Sequence, residues 1–188
     1  TQAEFLSTPG SGGDPVKAIQ NLPGINRDVA SSARVIIQGA APSDTRYTIN
    51  GQTVPNVFHF GGLSSVVLPE AVESIDFLAS GYGPEYGRAL GGIVGLNIRS
   101  PKKDRRHSLF FVDIFNSGGS VEGPLENGDS YLLSARYSYI SLVLGSLAKD
   151  NTSMNLVVAP TFFDITGVYE HNLKKKKKVV FTALTAQD

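Results

Sequence analysis

The densest run of residues that could do chemistry is Gly81-Tyr82-Gly83-Pro84-Glu85-Tyr86-Gly87. Closely spaced glycines let backbone amides close around a phosphate. Here the spacing misses the dinucleotide fingerprint, and Pro84 removes a donor. Tight turns account for the run more simply. His59, His107 and His171 could ligate a metal, but no two share a ligand spacing. His59, between Phe58 and Phe60, is the best single ligand candidate; packing in a core or loop explains it with fewer assumptions. Glu73 and Asp76 lie three apart where a helix is expected to pass into a strand, without the separation or cleft of a catalytic carboxylate pair. No Gly-x-Ser-x-Gly elbow occurs. Asn151-Thr152-Ser153 fits a glycosylation acceptor. No set of residues supports an enzyme, and none calls for a metal or cofactor.

Composition narrows the classes further. Seventeen basic residues balance seventeen acidic ones over 188 residues, which argues against a general nucleic-acid binder, since that needs a basic face to neutralise phosphates. At 41% hydrophobic and 18% charged, the chain can bury enough surface to fold. The absence of cysteine excludes disulfides, thiolate zinc sites and cysteine nucleophiles. The most apolar stretch, Ile140 to Ala148, is far short of the roughly 20 residues a membrane helix needs. The chain starts at Thr1 without a signal peptide and stops at Asp188 directly after an apolar-polar run, which reads as a fragment of something larger.

The elements that must position any site fall into two parts. Residues 1–13 are polar and glycine-rich and are expected to be a flexible leader. Asp14-Pro15 opens a helix with a cap and a first-turn proline, carries Val16, Ile19 and Leu22 on one stripe, and ends at Pro23-Gly24. Strands are expected at Arg34–Gln38, Arg46–Asn50 and Gln52–Val54, with Asn50-Gly51 a strong hairpin signal. A second helix from Pro69 to Glu73 leads into the strand Ser74–Leu78, and Ile93–Ile98 closes the unit. This predicts a small α+β domain over 14–103. From 104 to 188 the pattern becomes alternation with tight turns, in about five strands. From Tyr131 to Tyr139 the odd positions are apolar or aromatic and the even ones mostly polar. Such strands suit a transmembrane barrel. They also suit a soluble antiparallel sheet with its apolar face on a core, and periodicity alone favours the latter.

Six short motifs in order carry a resemblance. Asp14 to Ile19 with Leu22-Pro23-Gly24, Val35 to Gly39, Tyr47 to Pro55, Pro69 to Leu78, Tyr86 to Val94, and Val121 to Leu125 together resemble TonB-dependent outer-membrane receptors. Two positions depart from the family pattern: Gln38 stands in place of arginine and Asn50 in place of aspartate, so the usual plug-to-barrel ion pairs are not expected there.

The resemblance implies an α+β plug domain with two short helices, followed by antiparallel strands of a large transmembrane β-barrel that is incomplete in this chain. Five strands cannot close, and an open edge in lipid is costly, so most of the barrel is expected elsewhere in the protein. The plug would face the periplasm in the bacterial outer membrane, with lipid around the barrel. A TonB-type energy transducer would engage a segment before Thr1. Ser117 to Gly119 and Leu142 to Asn155 would be external, and Glu126 to Asp129 and Lys174 to Lys178 periplasmic turns. The lysine run has no specific explanation beyond a solvated turn. Two plug loops, Ala40–Arg46 and Asn56–Ser65, would face an external small-molecule or peptide substrate through Ser43, Asp44, Arg46, Phe58, His59 and Phe60. Packing of these six residues against the barrel wall is the competing explanation. A non-transporting module that keeps the plug fold is the alternative function.

Overall fold

A computed structural model describes residues 2–27, 35–59, 62, 64–87, 89–142, 161–173 and 177–188. The chain divides into two compact units, Thr1–Arg99 and Ser100–Asp188. Among the described residues, no helix is long and apolar enough to cross a membrane.

The first unit is a small mixed fold. Helix α1 (Gln2–Ser7) occupies the segment expected as a flexible leader; its single buried apolar side chain, Phe5, gives it an anchor that composition concealed. Helix α2 (Pro15–Ile19) stops three residues before Leu22, which is exposed. Its cap is the expected one: Asp14 accepts from the amides of Val16 (2.9 Å) and Lys17 (3.1 Å). The other carboxylate oxygen accepts from the amide of Ser65 at 2.7 Å. Strand β1 (Ile25–Arg27) pairs with β2 (Val35–Ile37), the core of the expected strand; Arg34 lies outside the described residues.

The main sheet of this unit contains β3 (Arg46–Ile49), β4 (Gln52–Val54), β7 (Val72–Leu78) and β8 (Ile93–Ile98) in the order β4-β3-β8-β7. A small pair, β5 (Phe58–His59) and β6 (Ser64–Ser65), sits between in sequence. Asn50 and Gly51 both have positive φ (48° and 78°), the hairpin turn their types demand. The Asn50 side chain also accepts from the Ile98 amide at 2.8 Å, which ties the turn to β8. The expected helix at Pro69 is a single 3₁₀ turn, Pro69–Ala71, and β7 starts two residues early. Val72 is wholly buried and pairs with Ile98, so the sheet claims it.

The second unit is a five-stranded antiparallel meander, with β9 (His107–Val112), β10 (Asn116–Pro124), β11 (Ser130–Ser138), β12 (Phe163–Asn172) and β13 (Lys178–Gln187) in sequence order across the sheet. The turn expected at Ser117–Gly119 is mid-strand instead. The β9–β10 reversal occurs at Asp113 to Asn116, where the Asp113 carboxylate accepts from the amides of Phe115 and Asn116, both at 2.7 Å. Gly118 serves close packing: a Cβ there would stand 2.7 Å from the Ala135 carbonyl oxygen and 2.8 Å from the Phe111 ring. Of the two remaining loops, 143–160 and 174–176 lie outside the described residues.

The faces of this sheet decide between the two sheet types that periodicity leaves open. Along β11, Ser130, Leu132, Ser134, Arg136 and Ser138 are buried, while Leu133, Ala135 and Tyr137 are exposed. On β12, Asp164, Thr166, Val168 and Glu170 are buried, and Ile165 and Tyr169 are exposed. Register places polar opposite polar: Arg136 against Asp164, Ser134 against Thr166, Ser130 against Glu170. Arg136 donates to Asp164 Oδ2 from Nε (2.8 Å) and Nη2 (2.6 Å), with the Phe162 ring 5.5 Å from the guanidinium carbon. A water-soluble sheet would show the opposite arrangement. A barrel wall in lipid shows this one.

The turn between β10 and β11 is clasped by Asp129, which is 2% exposed. Its carboxylate accepts from Tyr169 Oη at 2.5 Å, Asn127 Nδ2 at 2.7 Å, the Asn172 amide at 3.1 Å, and contacts His171 Nδ1 at 3.0 Å. The Tyr169 hydrogen bond, then that of His171, holds this carboxyl below its ordinary value of 3.8.

Two outcomes follow. Asp14→Ala should lower the stability of the first unit by about 2 kcal/mol, since three amides lose their acceptor, and Asp14→Asn should lose less. Urea-dependent trypsin cleavage after Lys17 in the full protein measures both. For Asp129, a depressed folded pKa means its stabilisation is complete above about pH 4 and is lost as pH falls below it. The barrel's melting temperature should therefore drop on acidification below about pH 4, and Asp129→Asn should flatten that part of the profile; a parallel drop in the variant would remove Asp129 as the source.

Candidate functional site

The loop from Ala40 to Arg46 and the hairpin that follows it build a concavity of about 390 Å³ lined by Ser43 to Tyr47 and by Thr53, Val54 and Pro55. Local sequence explains its shape. Pro42 opens a 3₁₀ turn, Pro42–Asp44, and the Asp44 carboxylate accepts from the Ala41 amide at 3.2 Å, closing that turn. The Asp44 carbonyl accepts from Gly91 N at 3.1 Å, and Arg46 N donates to the Gly92 carbonyl at 2.9 Å. Thr45 Oγ1 donates to the Val35 carbonyl at 2.7 Å. The end of the loop, Asp44 to Arg46, is thus pinned to β2 and to the residues just before β8.

Three of the six expected site residues meet here: Ser43, Asp44 and Arg46. Ser43 is exposed. Arg46 lies across the hairpin, with Nε donating to Thr53 Oγ1 at 2.9 Å and Nη1 to the Gly87 carbonyl. Phe58 and His59 are not brought to this surface. They are 3% and 1% exposed, inside the first unit. Phe58 meets Tyr47 edge-on with ring centroids 5.7 Å apart, so it backs the wall of the concavity. Phe60 lies outside the described residues.

Sequence reasoning missed a second concavity of about 410 Å³, which Ala40 at the start of the same loop helps to line. Its lining includes Gln38, Gly39, Ser80, Tyr82 and Leu90. Tyr82 Oη donates towards the carbonyls of Ala89 (3.0 Å) and Gly91 (3.1 Å), which shapes the glycine-rich run into a wall. The glycines at 81, 83 and 87 are the available signal, and they are read above as tight turns. Among the described residues, no group of three or more His, Asp or Glu side chains is arranged to hold a metal.

Comparison with known proteins bears on both units. Residues 2–93 match the TonB-dependent Receptor Plug Domain family. A curated relative, the TonB-dependent transporter Oar of Myxococcus xanthus, is 28% identical over 109 residues, which is 56% of this chain and 10% of that protein. Among solved structures, the siderophore receptor PirA of Pseudomonas aeruginosa superposes with a TM-score of 0.65 at 22% identity, over 98% of this chain and 34% of that one. The siderophore receptor PirA of Acinetobacter baumannii gives 0.62 at 21% identity, over 92% and 29%. The chain therefore spans about a third of the receptors it resembles in fold and a tenth of the curated relative.

Proposed function

We propose, from the match of residues 2–93 to the TonB-dependent receptor plug family and from the antiparallel strands that follow, that the whole protein is an outer-membrane transporter. Its plug closes the barrel, holds an external small-molecule or peptide substrate, and is displaced by energy delivered through a TonB-type transducer. The plug faces the periplasm. The observation that carries this reading is the inverted sheet: Glu122, Arg136, Asp164 and Glu170 buried, with Leu133, Tyr137 and Phe181 exposed. That arrangement suits a polar lumen and a lipid exterior.

Substrate contact is assigned to the concavity at Ser43, Asp44 and Arg46. Phe58 supports it from behind through Tyr47. Mixed hydroxyl, carboxylate and guanidinium groups can hold a polar ligand and still release it. The siderophore receptors are similar in fold alone and carry no substrate over to this chain. Force would enter at the N-terminus by strand addition to the transducer and pass through residues 2–13 to Asp14, which joins α2 to β6 through the Ser65 amide.

The test uses the full receptor. Solutes retained by the purified protein from growth medium are identified by mass spectrometry. Ser43→Ala, Asp44→Ala and Arg46→Ala should each weaken retention about five-fold, equivalent to roughly 1 kcal/mol. Unchanged affinity in all three would leave these side chains as plug packing. Cells whose receptor lacks the transducer-binding segment proposed ahead of Thr1 should bind the same solute without accumulating it; accumulation at the parental rate would refute the coupling.

A further inference from the structure

The segment just after Arg99 is laced across the second unit. Ser100 Oγ accepts from Lys178 Nζ on β13 at 2.9 Å. Pro101 is buried. The Lys102 amide donates to Glu122 Oε2 on β10 at 2.9 Å, and its ammonium lies 3.5 Å from Glu122 Oε1. Lys103 Nζ donates to Glu170 Oε1 on β12, and to Asn172 Oδ1 at 3.1 Å. Lys178 Nζ closes the ring by donating to Glu170 Oε2 at 3.0 Å. Both carboxylates are buried, Glu170 completely and Glu122 to within 5% of side-chain exposure, while the three lysines are half exposed. Residues 105 and 106 then run over Gly123 of β10, where a Cβ would stand 2.9 Å from Arg106 Cα.

Three strands are thus fastened to one short segment through two buried carboxylates and Lys178. Drawing the segment off would take Lys102 from Glu122 and Lys103 from Glu170, leaving Lys178 on Glu170, and breaking charge-assisted bonds to buried carboxylates is unfavourable, so the segment resists being drawn off. We propose that residues 100–106 are a fixed strap of the barrel wall, and that any displacement of the plug ends at Ser100. This rests on the transporter reading for the displacement but not for the strap itself. The strap keeps the plug attached to its own barrel while the plug is pulled, and gives it a stationary end from which to return. Glu122 and Glu170 are the residues that set this boundary.

Amide hydrogen exchange on the full-length purified receptor in rising urea tests it. The Lys102 amide should stay protected at urea concentrations where the Ser65 amide of the plug exchanges freely, by about ten-fold or more in rate. Glu122→Ala should abolish that difference. Lys102→Met with Lys103→Met should reduce it at least three-fold, with the amides of β11 as the control for any general loosening of the wall. Loss of Lys102 protection together with that of Ser65 in the parent protein would overturn the strap, as would unchanged protection in the lysine variants. No uptake is read here, so failure of the accumulation assay overturns transport and leaves this result standing, and the reverse holds equally.

Discussion

Burying Arg136 and Asp164 side by side, opposite one another in register, is the constraint on which the second unit depends. A charge removed from water is costly unless it is paired and hydrogen-bonded. Here the pair is matched within the sheet, and the next inward positions are Ser134 and Thr166. Every other residue along these strands is therefore committed. If the charged face is inside, Leu133, Ile165, Tyr137 and Tyr169 must be outside. In water that sheet would expose a continuous apolar band. In a bilayer the band is what holds it in place. A register slip of one residue would exchange the two faces and place Arg136 and Asp164 in lipid.

The first unit solves a different problem. Its sheets and helices are short, and its stability is drawn from long-range ties. Asp14 is the clearest: one carboxylate caps α2 and also holds the amide of a residue 51 positions away. Asn50 does the same for the hairpin and β8. The polar groups of the concavity are likewise engaged in holding its shape, with Asp44 closing its own turn and Arg46 bridging Thr53 and Gly87. A surface built this way is held in one form by its own hydrogen bonds, and a ligand seated there would meet little ordering cost.

Much of this was legible in the sequence because the signals are local. The Asp14-Pro15 cap, the Asn50-Gly51 turn, the strand Ile93–Ile98 and the two-residue alternation of β11 follow from backbone preferences that any neighbourhood respects. The failures share a cause. Gly118-Gly119 reads as a turn, but its glycines admit Phe111 and the Ala135 carbonyl from neighbouring strands. Residues 1–13 read as a leader because one phenylalanine is a weak signal until a partner surface exists. Pro69 reads as a helix start, yet pairing of Val72 with Ile98 takes the segment into the sheet after one turn. The candidate site divides in the same way. Ser43, Asp44 and Arg46 are close in sequence and stay together, whereas Phe58 packs inward against Tyr47 and His59 is buried beside it in the chain.

The amino-acid order by itself determined the two-part plan, the capped helix and hairpin, and the fact that the later strands have one polar and one apolar face. It did not determine which face is hidden, because alternation has the same period whichever side is turned inward. Only the tertiary structure decided that, by setting Arg136 against Asp164 and by bringing Lys102 and Lys103 to two carboxylates far from them in sequence. Pairings across such distances depend on strand register and chain crossing, which no short window of residues contains.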